Sequence, residues 1–353
     1  MIQNIFKLLF LISLWLTVGC TDPDSEEPNT DQLTFKNQKG VFVLNEGNFM
    51  QGNGSISFCP LKNDSIVNDI FFSANQLPTG DVIQSMVILD NEAWIVANNS
   101  GKVEVVDLAT FKQKASITGL SSPRYLLPVS DNLIYLSDLY TPKVYILSLQ
   151  TKQVVDSIAV QKPVERMLKI GNKVFMLNWT SYGGYTNNTM LVVNTQTHSV
   201  VDSLKITKEP NSMVVDKDGR LWVLCSGGFM HEEPATLLQI NPENMNIEKT
   251  LVFQDPQATP SQLCKNALGD TLYFLNKDVF RMQIGESTLP QLPFVIATNK
   301  LFYGLGVCPS NSHVYISDAI DYQQNGVVYR YSPKGELIYK IKAGIIPASF
   351  VFN

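Results

Sequence analysis

A unit of four short apolar runs separated by turn residues recurs along this chain, and the recurrence restricts the fold more than any other feature. Val82–Leu120 shows the unit in full. Gln84–Leu89, Ala93–Ala97, Lys102–Asp107 and Lys114–Thr118 read as strands rich in Val, Ile and Trp. Asp90-Asn91-Glu92, Asn98-Asn99-Ser100-Gly101 and Leu108–Phe111 read as the turns between them. Four strands of this length cannot bury both faces of their sheet alone, so the unit requires copies of itself as neighbours.

The copies are present. Pro123, Pro163, Pro210 and Pro260 each precede a strand-rich unit, at steps of 40, 47 and 50 residues, and Pro347 follows 87 residues later, which is room for two units. Second strands and their loops align as VFVLNEGN from Val41, AWIVANNSG from Ala93, LIYLSDLYTPK from Leu133 and VFMLNWTSYGG from Val174. The series continues as LWVLCSGG from Leu221, LYFLNKD from Leu272 and VYISDAIDYQQNG from Val314. A period of roughly 40–50 residues with four strands per repeat is that of a β-propeller blade. The chain is therefore expected to be an all-β, seven-bladed β-propeller. Its first unit starts at Gly40 with a match to a second strand, while Ile346–Phe352 matches an innermost strand. The C-terminal strand is thus expected to pair into the first blade and close the ring, leaving no open edge between blades.

Residues 1–19 carry one lysine and an apolar core of about a dozen residues, short for a membrane span and suited to a secretory signal. Gly19-Cys20 matches a bacterial lipoprotein site with Cys20 as the lipidated residue, although Thr17 stands where leucine is usual. Thr21–Gln32 is acidic, so residues 20–33 are expected to be a flexible tether and 34–353 the propeller. A net charge of −5 offers nothing to a nucleic acid. Cys59, Cys225, Cys264 and Cys308 lack zinc-ligand spacing and are expected to be buried free thiols.

In a propeller the loops between second and third strands share a face with the loops entering each innermost strand. Those loops are elaborate here: Asn45–Gly54 with Asn48 and Phe49, Asp138-Leu139-Tyr140, Asn178–Asn188 with Trp179, Tyr182 and Tyr185, Gly227–Glu233 with Phe229 and His231, and Asp318–Asn325 with Tyr322. The opposite hairpins are short, as at Asp90-Asn91 and Gly171-Asn172. Long loops entail an entropic cost and usually serve a task. Aromatic rings beside amides suit a large ligand with a flat apolar part and many hydrogen-bonding groups; the same residues also suit loop packing and turn capping. The innermost strands open with polar pairs, Gln84-Ser85, Arg124-Tyr125, Glu165-Arg166, Asn211-Ser212 and Ser261-Gln262, with Tyr303 and Ala348-Ser349 completing the ring. Arg124, Glu165 and Arg166 fit either a functional cluster at the channel mouth or an ion-pair network between blades. No catalytic residues, metal ligands or cofactor are expected: there are three histidines and no GxSxG or HExxH motif.

Val41–Asn53, Ala97–Asp107 and Ser122–Tyr140 resemble a family of Bacteroidetes lipoproteins with a YncE-like seven-bladed propeller, whose best-understood members are cobalamin-binding proteins of BtuG type. The resemblance covers nearly all of the mature chain and is more specific for the family than for the ligand. It implies a non-enzymatic surface lipoprotein of the outer membrane that captures corrinoid and delivers it to a TonB-dependent transporter. Cobalamin is then the transported ligand, not a cofactor. Candidate contacts are Trp179, Tyr182, Tyr185, Phe49 and Tyr140 beside Asn45, Asn48, Asn98 and Asn99, with Arg124, Tyr125, Glu165, Asn211, Phe229, Tyr303 and Tyr322. His231 fits a cobalt contact or a hydrogen-bonding role. Two other classes stay open: a propeller enzyme of quinoprotein, lactonase or lyase type, and a scaffold or adhesin binding a polypeptide or glycan.

Overall fold

In the computed structural model, residues 35–353 are described; the signal segment, Cys20 and the acidic tether lie outside them. Seven antiparallel sheets form a ring. The second blade runs Ile83–Leu89, Glu92–Ala97, Lys102–Asp107 and Gln113–Ile117 from channel to rim, each end within a residue of the expected strand. The innermost strands of the later blades are Pro123–Pro128, Met167–Ile170, Pro210–Val215, Ser261–Lys265 and Phe302–Val307. The ring closes as expected. Pro347–Phe352 pairs antiparallel with Gly40–Asn45 as the innermost strand of the first blade, with Val41 opposite Phe352 and Val43 opposite Phe350.

Alternation along the strands explains how the blades adhere. Phe42 and Leu44 face the second blade and pack with Ile56, Phe58, Ile95 and Ala97. Val41 and Val43 face the seventh and pack with Tyr315 and Val328. The same division places Trp94 and Val96 against Leu126 and Leu136 of the third blade. One apolar cluster of this kind fills each of the seven gaps between neighbouring blades. With side chains on opposite faces at period two, every middle strand is buried on both faces and reads as a continuous apolar run.

Two blades depart from the four-strand expectation. The first and sixth have three strands each. In the sixth, the outer position falls to a segment containing Pro290 and Pro293, which cannot donate to a ladder, and only Val279 and Val295 form a bridge there. The gap leaves a groove of about 530 Å³ lined by Phe253, Phe274, Phe280 and Leu289. In the first blade Val67 bridges to Phe58, and the short helix Ile70–Asn75 sends Ile70 and Phe71 into the adjoining cluster.

The closure seam is reinforced at both ends. Phe35 packs its ring against Phe42, Phe58 and Phe111 at centroid distances of 6.1, 5.1 and 5.5 Å. The Asn353 carboxamide donates to the carbonyls of Phe35 and Gln38. Removing the Phe42 ring from this cluster is expected to cost about 3–5 kcal/mol. Phe42→Ala should therefore lower the urea midpoint without changing the slope of the transition; an unaltered midpoint would contradict the packing described.

Candidate functional site

Innermost strands of all blades but the fourth break their register at their first residues. Shifts fall between Ile83 and Ser85, Pro123 and Leu126, Pro210 and Ser212, Ser261 and Cys264, and Phe302 and Leu305. In the fourth blade Glu165 and Arg166 precede the strand proper and are tied to Leu177 through their backbones. A bulge re-aims the side chains it carries, and these bulges coincide with the polar pairs. Their side chains converge on a bowl of about 380 Å³ at the channel mouth, lined among others by Glu46, Gln84, Arg124, Glu165, Glu209 and Tyr303.

The bowl is an organised network of charges. Arg124 approaches Glu165 with Nε 2.9 Å from Oε1 and a terminal nitrogen 3.3 Å from Oε2. Arg124 also donates to the Gln84 carboxamide, whose own nitrogen donates to the Tyr125 hydroxyl at 3.0 Å. Burial opposes charge on Arg124, yet Glu165, Tyr125 and Glu46 together outweigh it and raise the guanidinium pKa. Arg166 stacks on the Tyr125 ring at 4.1 Å. The Tyr303 hydroxyl donates to Glu46 at 3.1 Å. Burial nevertheless raises the Glu46 pKa, against the pull of Tyr303 and Arg124. Across the mouth, burial and, more weakly, Glu232 push the Glu209 pKa up to about 7, against the pull of the nearby Trp179 indole.

Around the bowl stands a rim of aromatic side chains, carried on the loops except for Tyr303 of the innermost strand Phe302–Val307. Tyr140 and Tyr182 lie 4.3 Å apart, Trp179 and Phe229 meet edge to face at 5.1 Å, and Tyr303 and Tyr322 do so at 5.7 Å. Phe49, Tyr182 and Phe229 are at least half exposed (60, 58 and 50%). The loops hold these positions with left-handed backbone at Met50, Gly228, His231 and Tyr322. At Gly227 (φ 87°) a Cβ would lie 2.0 Å from the Glu233 carbonyl oxygen, so only glycine fits that turn. The first and seventh loops are joined by a hydrogen bond from the Asn48 carboxamide to the Tyr322 carbonyl.

Of the residues expected to face a ligand, Arg124, Tyr125, Glu165, Trp179, Asn211, Phe229 and Tyr303 line the bowl. Tyr140 and Tyr182 stand on the rim, while Asn48, Phe49 and Tyr322 share an open depression beside it. Several amides are directed elsewhere. Asn45 is fully buried and donates to Ser55 and Ser57. Asn98 donates to Ser122 Oγ and the Pro123 carbonyl, and Asn99 to Asp81. The Asn211 side chain borders the bowl, but its nitrogen is taken up by Ser226 and the Pro260 carbonyl. These asparagines staple strand ends to one another; Asn98 and Asn211 do so by donating to the Pro123 and Pro260 carbonyls at the inner-strand entrances, which need donors. Tyr185 lies against Gly183, away from the bowl, and His231 is at a loop tip outside the bowl lining. Gln84, Arg166 and Gln262 belonged to the polar pairs but not to the candidate contacts. Glu46 and Glu209, residues that a reading for aromatics and amides passes over, complete the bowl.

Because the folded-state pKa of Glu209 lies above its unfolded value of 4.5, its contribution is fully present below pH 4.5 and is lost as pH rises through about 7. Glu209→Gln should therefore gain stability relative to the parent between pH 5 and pH 8, on the order of 1–3 kcal/mol. Denaturant midpoints at the two ends of that window check it. A difference that does not change with pH would show that Glu209 is not held neutral by its surroundings.

No curated protein matches the sequence. Solved propellers do resemble the fold. A quinoprotein alcohol dehydrogenase-like protein of Bacteroides thetaiotaomicron superposes with a TM-score of 0.67 at 12% identity, over 90% of this chain and 79% of that one. A 6-phosphogluconolactonase-like protein of Bacteroides fragilis gives 0.65 at 11% identity, over 90% and 99%. Dihydro-heme d1 dehydrogenase NirN in complex with DHE gives 0.59 at 12%, over 91% and 75%. At such identities the likeness establishes the β-propeller alone. The model of a domain of unknown function, DUF5074, matches residues 39–353, and the chain belongs to that family.

Proposed function

We propose that this propeller is a capture protein that binds a corrinoid across its loop face, without altering it, and passes it to a TonB-dependent outer-membrane transporter. The observation that carries the reading is the arrangement of three aromatic pairs around a hydrogen-bonding bowl. Aromatic faces stack on a flat macrocycle, and the polar bowl beneath offers donors and acceptors to its pendant groups. The bowl, at about 380 Å³, is near the lower end of the ~300–1,000 Å³ common for small-molecule sites. A corrinoid exceeds it, so the ring would rest on the rim while a side group reaches inward. Dihydro-heme d1 dehydrogenase, among the similar propellers, is named for a macrocycle of comparable shape. A lipid anchor at Cys20 would hold the protein at the outer membrane facing the cell surface.

A second reading, a propeller enzyme, draws on Glu209, whose carboxyl titrates near neutrality at the mouth as a general acid–base requires.

Calorimetric titration of the protein lacking residues 1–33 with cyanocobalamin, and then with cobinamide, tests the proposal. One-to-one binding is expected, weakened at least about tenfold, or ~1.4 kcal/mol, by Trp179→Ala or Tyr182→Ala. Val155→Ala, on an outer strand, should leave it unchanged. Absence of binding at high micromolar ligand would overturn the corrinoid reading, and recovery of chemically altered ligand would favour the enzyme.

A further inference from the structure

We infer that the channel beneath the loop face contains a distinct oxyanion subsite centred on the Arg166 guanidinium, which takes a carboxylate or phosphate group of the bound molecule. This inference does not depend on the identity of whatever rests on the rim.

Arg166 lies where two cavities meet. It borders the bowl at the mouth and a second cavity of about 370 Å³ deeper in the channel, and Tyr125, Gln262 and Ser349 border both as well. Arg166 is half-buried, its guanidinium carbon lies 4.1 Å from the Tyr125 ring centroid, and among the described residues it has no carboxylate within ion-pair distance. Its neighbour Arg124 is matched by Glu165. Glu46 and Glu209, the other acidic groups of the bowl, are both held toward their neutral forms by burial. An unmatched guanidinium in a narrow channel is costly unless a counter-charge arrives, and its planar fork fits the paired oxygens of a carboxylate or phosphate.

Two further donors point the same way. Gln262 adopts φ 59° within its innermost strand, a left-handed conformation that is strained for a residue with a side chain. The residue lines the channel wall, and its carboxamide has no hydrogen-bond partner among the described residues. The Tyr125 hydroxyl accepts from Gln84, which leaves its own hydrogen to donate. Guanidinium, carboxamide and phenol thus supply donors from the third, fourth and sixth blades to a single length of channel.

The test follows arginine side-chain Nε–H signals by nitrogen-15 NMR in the intact propeller while inorganic phosphate, and separately acetate, is added at constant ionic strength. A saturable shift of the Arg166 signal is expected with at least one of the two probes, and the responding probe tells which group the subsite takes. Arg166→Gln should abolish saturable binding, which calorimetry reads independently, whereas Arg281→Gln on the sixth blade should not. Arg166→Lys retains charge but not the fork; it guards against a variant that fails to fold and should weaken binding severalfold. The inference is overturned if neither anion gives a saturable response, or if binding persists unchanged in the Arg166 variants.

Discussion

The pairing of Pro347–Phe352 with Gly40–Asn45 is the contact on which the rest of this structure depends. Every other blade is continuous in sequence, its strands joined by short hairpins on one face and by longer loops on the other. The first blade instead takes its innermost strand from the far end of the chain. Until that strand docks, Gly40–Asn45 has an unpaired edge, Val41 and Val43 have no complete cluster, and the channel has a missing wall. Closure creates the bowl as well, because Ala348 and Ser349 of the closing strand line it beside Glu46 and Tyr303.

A single repeat thus serves two ends through a division of positions. Alternate apolar residues in the middle strands fill the gaps between blades and hold the ring rigid. The first residues of the innermost strands face the channel instead, where they meet one another across blades through polar contacts such as Arg124 with Glu165 and Asn211 with the Pro260 carbonyl. Arg124, Glu165, Asn211 and Ser261 occupy equivalent places at the openings of the third to sixth blades. A rigid ring with a variable lining is well suited to ligand recognition, because the positions are fixed before the ligand arrives.

The strands, the seven blades and the closing strand were legible in the sequence because each follows from local patterning: apolar runs, turn residues, and prolines at the joints. So were the aromatic loops, whose length set them apart from the opposite hairpins. The roles of the asparagines were not. Asn45, Asn98 and Asn99 occupy loops beside the aromatics in sequence, yet their amides turn into the seams between strands. Whether a strand-end side chain faces a seam or the bowl depends on register, which is set by neighbouring blades. Glu46 and Glu209 escaped notice for a related reason. A single acidic residue in a loop looks solvated until the ring closes around it and excludes water.

The central claim is that the loop face, with its aromatic rim and polar bowl, is where this propeller holds its ligand. The most direct measurement is a crystal structure of residues 34–353 soaked with cyanocobalamin. The account predicts a macrocycle resting against Trp179 and the Tyr140–Tyr182 pair, with a pendant group directed into the bowl. Ligand bound only to the opposite face, or in the outer groove beside Phe280, would contradict it.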